Sequence, residues 1–179
     1  MTYYAFIQND KINGCGECRQ LTTGVVNYEI TEEIFNNIQD YIWNGSEVVI
    51  DPELDAKKLQ QAKEEKIIQN DFIRDEALNQ GIVYKGVLFD SDTDQKVNLL
   101  AIVSTIDDEQ VITWFGKDNQ PLECTKEDLI NIGSLITQLH TFCWGKNALL
   151  KSEISNAETI EELEEIEIDY TLPVEGGEE

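Results

Sequence analysis

The sequence predicts an α+β fold with a small β-rich N-terminal module, a connecting helix, and a C-terminal helical domain with short β-hairpins. Two observations predict it: residue pairs that favour tight turns separate short β-type runs, and the segments between these runs carry apolar residues at helical spacing. A chain of 179 residues is long enough for two coupled modules. We divide it into a β-rich module at 1–51, a connecting helix at 52–66, an α+β domain at 67–170, and an acidic, disordered tail at 171–179.

The start of the chain is predicted to form strands separated by turns. Residues 3–8 and 24–28 are rich in β-branched and aromatic side chains, which favours strands. The pairs Asn9-Asp10 and Asn13-Gly14 are turn signals between them. Thr31 then suits the N-cap of a short helix because its hydroxyl can accept from a free backbone N–H.

A hairpin is predicted at 41–50. The runs 41–43 and 48–50 are β-type, and Asn44-Gly45 lies between them. This residue pair tolerates positive φ at both centres of a type I′ turn. We therefore expect Asn44-Gly45 to form that turn.

A single helical pattern, of which the connecting helix is the first part, should begin near Asp51-Pro52 and end before Gly81, because proline suits the first helical turn and glycine the C-terminal stop. Its first half is mostly charged and cannot bury a wide face by itself. Its second half turns apolar and should enter a core. The apolar residues there are Ile67, Ile68, Phe72, Ile73, Ala77 and Leu78.

Hairpins and capped helices alternate in the C-terminal domain. Hairpins are expected at 82–89 and 111–124, and the Asp90 to Thr93 cluster should cap a helix between them. The predicted buried stripe of that helix is Val97, Leu100, Val103 and Ile106. Thr125 should cap the longest helix, and Thr159 a short final one. The stripe of the longest helix has one longer gap and consists of Leu129, Ile132, Ile136, Leu139, Cys143 and Leu150.

The charge narrows the choice of partner. A net charge of -23 makes contact with nucleic acid or an anionic membrane unfavourable and favours a basic protein partner. No apolar run reaches the ~20 residues of a membrane span, and the N-terminus lacks the pattern of a secretory signal. We therefore expect synthesis in the cytoplasm, no nucleic acid partner and no membrane partner.

The spacing of Cys15 and Cys18 raises the possibility of a metal site. Two thiolates at this spacing can share a zinc ion, and His140 with Cys143 could complete a four-ligand set. Four ligands from two modules would have to converge, so we favour loop cysteines, a histidine on a helix face, and no metal. A cytosolic chain also predicts reduced cysteines.

Catalytic patterns are sparse in the sequence. His140 is the single histidine, and Cys143 lies on the same predicted helix rather than opposite it, which argues against a catalytic triad. The aspartates from Asp90 to Asp94 resemble the start of a calcium loop, but no glutamate stands at the twelfth position of that loop. We predict no catalytic residues, no cofactor and no enzymatic activity.

Three tryptophans are candidate anchors for a partner protein, because aromatic residues dominate the energetics of interfaces. They are Trp43, Trp114 and Trp144. Internal packing is the competing interpretation for each of them. Internal packing is favoured for Trp114. For Trp43 and Trp144, internal packing and a role as an interface anchor are equally favoured.

Several segments carry a family resemblance. They are NDFIRDEAL at 70–78, YKGVLFDSD at 84–92, ITW at 112–114, residues 122–129, WGK at 144–146 and AETIEEL at 157–163. In this order, residues 62–170 resemble a domain-of-unknown-function family that is common in phage tail fibre and tail-fibre-assembly genes. YYAFI at 3–7 and the segment 41–52 look like short proteins encoded beside phage tail fibres.

The resemblance implies a non-enzymatic tail or baseplate component that contacts phage tail fibre or baseplate proteins and resides in the virion tail. The alternative is a tail fibre assembly chaperone that is absent from the mature particle. An enzyme that cleaves cell-surface glycans is a third, more distant possibility. The family implies no catalytic residues for this chain.

Overall fold

A computed structural model describes residues 1–172, and the chain is α+β, as the sequence predicts. Contacts divide it into two compact units, Met1–Gln60 and Gln61–Glu179. Of the tail expected at 171–179, residues 173–179 lie outside the described part. The expected division into four segments stays a prediction.

The elements follow one another as hairpins and helices. The strands are β1 Tyr3–Gln8, β2 Lys11–Gly16, β3 Val26–Ile30, β4 Tyr41–Trp43, β5 Val48–Ile50, β6 Ile82–Tyr84, β7 Val87–Phe89, β8 Ile112–Phe115 and β9 Pro121–Cys124. The α-helices are α1 Glu32–Asn36, α2 Leu54–Gln80, α3 Thr93–Thr105, α4 Lys126–Asn156 and α5 Ile160–Glu165, and a 3-10 turn covers Ile38–Asp40.

The first unit is built on an antiparallel sheet with the strand order β2-β1-β3. Asn9 and Asp10 both have positive φ, 53° and 58°, and form the two-residue turn between β1 and β2. Asn13-Gly14 was predicted as a turn, and this is wrong: both residues lie inside β2, where the register shifts opposite Phe6. The Asn-Gly pair therefore marks an irregularity within the strand rather than a turn.

The β4–β5 hairpin forms where it was predicted, but its turn differs. The loop contains four residues, and only Gly45 has a positive φ, of 102°. Asn44 Oδ1 accepts from the backbone N–H groups of Ser46 and Glu47. Asn44 therefore stabilises the loop through its side chain and does not adopt a positive φ. The prediction of a type I′ turn is wrong.

The second unit packs the two hairpins β6–β7 and β8–β9 with helices α2, α3 and α4. The predicted stripe of α4 is confirmed, since each of its six residues is buried. Thr125 caps this helix in a reciprocal capping box with Asp128. Thr159 caps α5 by accepting from the backbone N–H of Glu162.

The buried face of α3 differs from the prediction. Leu99 and Ile106 are buried, whereas Val97 and Leu100 are exposed at 59% and 72%. Because α3 carries apolar residues on two adjacent faces, helical spacing alone does not decide which face meets the core.

The second half of α2 also differs from the prediction. Ile68 and Phe72 are exposed, and the buried residues of the helix are Asn70, Arg74 and Ala77. Asn70 accepts from Tyr170, and Arg74 donates to the carboxylates of Asp71 and Asp75 on α2 itself, which makes the burial of both residues possible. No helix among residues 1–172 has the length and apolarity of a membrane span.

Candidate protein interaction surface

Trp144 lies on α4 with 52% of its surface exposed. Its ring stacks on the guanidinium of Arg74, whose Cζ atom is 4.3 Å from the ring centroid. Arg74 is itself buried and donates to Asp71 Oδ1 at 2.8 Å and to Asp75 Oδ1 at 2.7 Å. The indole is thus held in one orientation from beneath while one side of it faces solvent.

A partly buried polar cluster supports this pair. Asn147 Nδ2 donates to Asp71 Oδ1 at 2.9 Å, and Lys151 Nζ donates to Asp71 Oδ2 at 2.8 Å. Burial pushes the pKa of Asp71 upward, but the hydrogen bonds from Lys151 and Asn147 outweigh it and leave the pKa lowered. Asp71 is therefore an ionised carboxylate that ties α2 to α4.

The segment after α5 joins the same cluster. The hydroxyl of Tyr170 donates to Asn70 Oδ1 at 2.7 Å, and both residues are buried. Burial raises the pKa of Tyr170, which keeps its hydroxyl protonated and able to donate. The C-terminal segment is therefore held against α2 by a specific hydrogen bond.

A second charged cluster lies at the start of α4. Asp128 accepts from Lys85 Nζ at 2.6 Å, from the Tyr84 hydroxyl at 2.7 Å and from the Thr125 backbone N–H at 3.0 Å. The hydrogen bond from Lys85 is the largest cause of the strongly lowered pKa of Asp128, followed by the one from Thr125. This carboxylate joins the β6–β7 hairpin to α4 and has a structural role.

The other two candidate tryptophans are partly buried. Trp114 packs against the main core, and its Nε1 atom is buried without a hydrogen-bond partner among the described residues. Trp43 packs in the core of the first unit, edge-on to Tyr28 with centroids 5.1 Å apart. Of the three tryptophans, Trp144 presents the largest exposed surface.

The four candidate zinc ligands each have a separate environment. Cys15 lies on β2, not in the loop we expected, and burial raises the pKa of its thiol; Cys18 is exposed. His140 Nε2 donates to the carbonyl oxygen of Ser91 at 2.6 Å, and Cys143 is buried in the core. Within residues 1–172, no three His, Cys, Asp or Glu side chains form a group that could hold a metal ion.

An apolar groove runs between α3 and α4. We call it the α3–α4 groove, and its volume is about 280 Å³. Its lining residues are Lys96, Leu99, Leu100, Val103, Leu129, Ile130, Gly133 and Thr137. A wider depression of about 740 Å³ continues along α4 to Phe142 and Leu172. The second unit therefore carries an open apolar surface beside its core.

Sequence patterns did not reveal the polar cluster around Asp71. One signal was present: Asn147 lies four residues after Cys143, in the longer gap of the α4 stripe, so its position is a core position. Asn70 and Arg74 carried no comparable signal, because their neighbours Ile68 and Phe72 gave α2 an alternative apolar face.

The second unit is a small α+β domain in which helices α2, α3 and α4 pack with two short hairpins. A family described as "Domain of unknown function (DUF4376)" matches residues 61–171. This match covers more than half of the chain, and the chain belongs to the DUF4376 family. Comparison with curated proteins gave no match, and comparison with solved structures gave none.

Proposed function

We propose that this protein is a non-enzymatic component of a bacteriophage or phage-tail-like particle. In this proposal it lies in the tail or baseplate, is associated with the receptor-binding fibre, and acts by protein–protein contact. The observation that carries the proposal is the exposed Trp144 ring stacked on the buried Arg74. Tryptophan and arginine are the residue types most enriched among interface hot spots.

The rigidity of Trp144 supports an interface role. Arg74 is fixed by two carboxylates beneath the ring, so little side-chain freedom remains to be lost when a partner covers the indole. The tail and fibre setting rests on the resemblance of residues 62–170 to a family common in tail fibre and tail-fibre-assembly genes. The two supports are independent, since one is geometric and the other lies in the sequence.

The environment of His140 supports a non-enzymatic role. It is the single histidine of the chain, and its Nε2 atom is engaged with the backbone carbonyl oxygen of Ser91. A general base must have a ring nitrogen within reach of a substrate proton. In this structure His140 instead joins α4 to the segment before α3.

The test is binding of purified protein to the fibre protein encoded beside it. We expect Trp144→Ala to weaken binding by about 30-fold, the equivalent of about 2 kcal/mol for a hot spot. Leu149→Ala is the matched control, because Leu149 is also an exposed apolar residue of α4. Equal binding by wild type and Trp144→Ala would remove Trp144 from the interface.

Charge gives a second readout of the same interaction. A chain at -23 should be steered towards basic residues of its partner, so the association rate should fall as salt rises from about 50 to about 500 mM. The dissociation rate should change much less, because the apolar contact is insensitive to screening. An association rate that does not depend on salt would reject charge steering.

A further inference from the structure

The α3–α4 groove exposes apolar side chains that do not pack in the core. Leu100 is exposed at 72% on the α3 side, and Ile130 is exposed at 50% on the α4 side. These residues flank Leu99 and Leu129, which are buried. The two helices thus form an apolar groove, and the burial of Leu99 and Leu129 in the core holds both helices in place.

Gly133 lies in the floor of the groove, near the middle of the N-terminal half of α4. Glycine inside a helix is less favourable than alanine. A Cβ atom at this position would meet no atom within 4 Å, so the packing of this chain does not require glycine. A glycine here does allow another backbone to approach α4 closely.

The helices α3 and α4 run antiparallel. His140 of α4 contacts Ser91 before the start of α3, and Lys126 at the start of α4 pairs with Asp108 after the end of α3 at 2.8 Å. Lys96 and Thr137 therefore lie at one end of the groove, and Val103 and Leu129 at the other. The groove has two chemically different ends.

The two ends differ in charge. Beside Leu129, Lys126 is paired with Asp108, so Glu127 in the first turn of α4 and the exposed residues Asp107 and Glu109 after α3 leave this end acidic. At the other end, Lys96 is partly buried, and none of the described carboxylates lies within ion-pairing distance of its Nζ atom. Burial lowers the pKa of Lys96.

We propose that the α3–α4 groove binds an amphipathic helix of a partner protein, parallel to α4, with cationic residues in its first turn and a carboxylate in its last turn. The apolar face of that helix covers Leu100 and Ile130, and its backbone passes over Gly133. Its carboxylate pairs with Lys96. The positive end of its dipole and its cationic turn meet the acidic end of the groove.

The length of the groove sets the length of the occupant. From Leu129 to Thr141, along the groove and the wider depression that continues it, α4 rises by about 18 Å, which corresponds to a partner helix of about 12 residues. A second copy of this chain is disfavoured, because each copy carries -23. This inference deepens the proposed function, but its test uses no fibre protein, so it can fail while fibre binding through Trp144 stands.

The probe is a fluorescein-labelled synthetic peptide of about 14 residues, with leucines at i, i+3, i+4 and i+7, two arginines in the first turn and two glutamates in the last. The control peptide has the arginines and glutamates exchanged. The control forms a helix more readily on its own, so tighter binding of the probe cannot come from helicity. By fluorescence anisotropy, the full-length protein should bind the probe at least about tenfold tighter than the control.

Gly133→Ala separates a binding role from a structural one. The variant should raise the Tm by about 1–4 °C and weaken probe binding by about tenfold or more. Gly145→Ala is the matched control, since Gly145 also lies in α4 with open space around its Cα, but outside the groove. It should raise the Tm similarly and leave probe binding unchanged.

Lys96→Glu tests the orientation. It should weaken binding of the probe and remove its preference over the control peptide, because both ends of the groove are then acidic. The proposal would be overturned if the wild-type protein bound both peptides equally or bound neither. Unchanged probe binding by Gly133→Ala would overturn it as well. Sedimentation that shows self-association of the wild type, abolished by Gly133→Ala, would overturn it in favour of a second copy.

Discussion

Asn147 on α4 donates a hydrogen bond of 2.9 Å to Asp71 on α2, across 76 positions of sequence. Both helices place polar residues at positions where helical spacing alone would put apolar ones. Since Asp71 also accepts from Arg74 and Lys151, one carboxylate organises the contact between the two longest helices. The support beneath Trp144 depends on that carboxylate.

The first prediction concerns this hydrogen bond. Asn147→Ala should lower the free energy of unfolding by about 1–3 kcal/mol, because Asp71 loses a hydrogen-bond donor and removal of the buried Asn147 amide leaves a small cavity. Urea unfolding at neutral pH measures the change. Asn98→Ala on the exposed side of α3 is the control and should stay within about 0.5 kcal/mol of wild type. If Asn147→Ala had the same free energy of unfolding as wild type, the polar cluster would not stabilise the fold.

The second prediction concerns acid. Lys85, Thr125 and Tyr84 hold the folded-state pKa of Asp128 below its ordinary value, so the ionised carboxylate stabilises the fold fully above about pH 4. This contribution is lost as the pH falls from there towards the folded-state pKa. The unfolding free energies of wild type and Asp128→Asn should differ by a constant amount between about pH 5 and about pH 8 and converge below about pH 4. A difference that persists unchanged in acid would contradict the assignment.

The third prediction concerns Trp114. Trp114→Ala should destabilise the protein by about 2–4 kcal/mol, since the ring packs against the main core. Trp114→Phe should cost less than about 1 kcal/mol, because it keeps a ring and removes a buried N–H that has no partner. Thermal and urea unfolding measure both. If Trp114→Ala keeps full stability and loses fibre binding, Trp114 is an interface anchor instead.

The fourth prediction concerns Gly81, where α2 ends. Its φ is 82°, and a Cβ atom would collide with the backbone carbonyl oxygen of Phe89. Gly81→Ala should therefore destabilise the protein by more than about 1 kcal/mol. Gly133→Ala, in open space within the same unit, should have the opposite sign. Equal effects at the two positions would contradict this distinction.

Local chemistry predicted most of the elements from the sequence. Thr31, Thr125 and Thr159 cap helices where their sequence context indicated, and the two C-terminal hairpins have the predicted strands. These signals depend on a few adjacent residues, which is why they could be recognised without knowledge of the tertiary contacts. The stripe of α4 was predictable because this helix has one dominant apolar face.

The buried faces of α2 and α3 could not be predicted, because they depend on contacts with other elements of the fold. In α3, Val97 and Leu100 compete with Leu99 and Ile106 for the core, and the choice is made by α4 and the hairpins. In α2, Asn70 is buried because Tyr170, 100 positions away, donates to it. The α3–α4 groove and the Trp144–Arg74 pair result from such choices, so they could be found only in the structure.

The proposal that the protein is a retained part of the particle is tested most directly by its copy number in purified particles. Particles from the phage that encodes the chain would be washed at about 500 mM salt, which screens adventitious charge contacts. Quantitative mass spectrometry against the fibre protein then gives the stoichiometry. We expect a fixed ratio to the fibre that survives the wash. Absence from mature particles, together with binding to newly made fibre in infected cells, would contradict the account and identify an assembly chaperone.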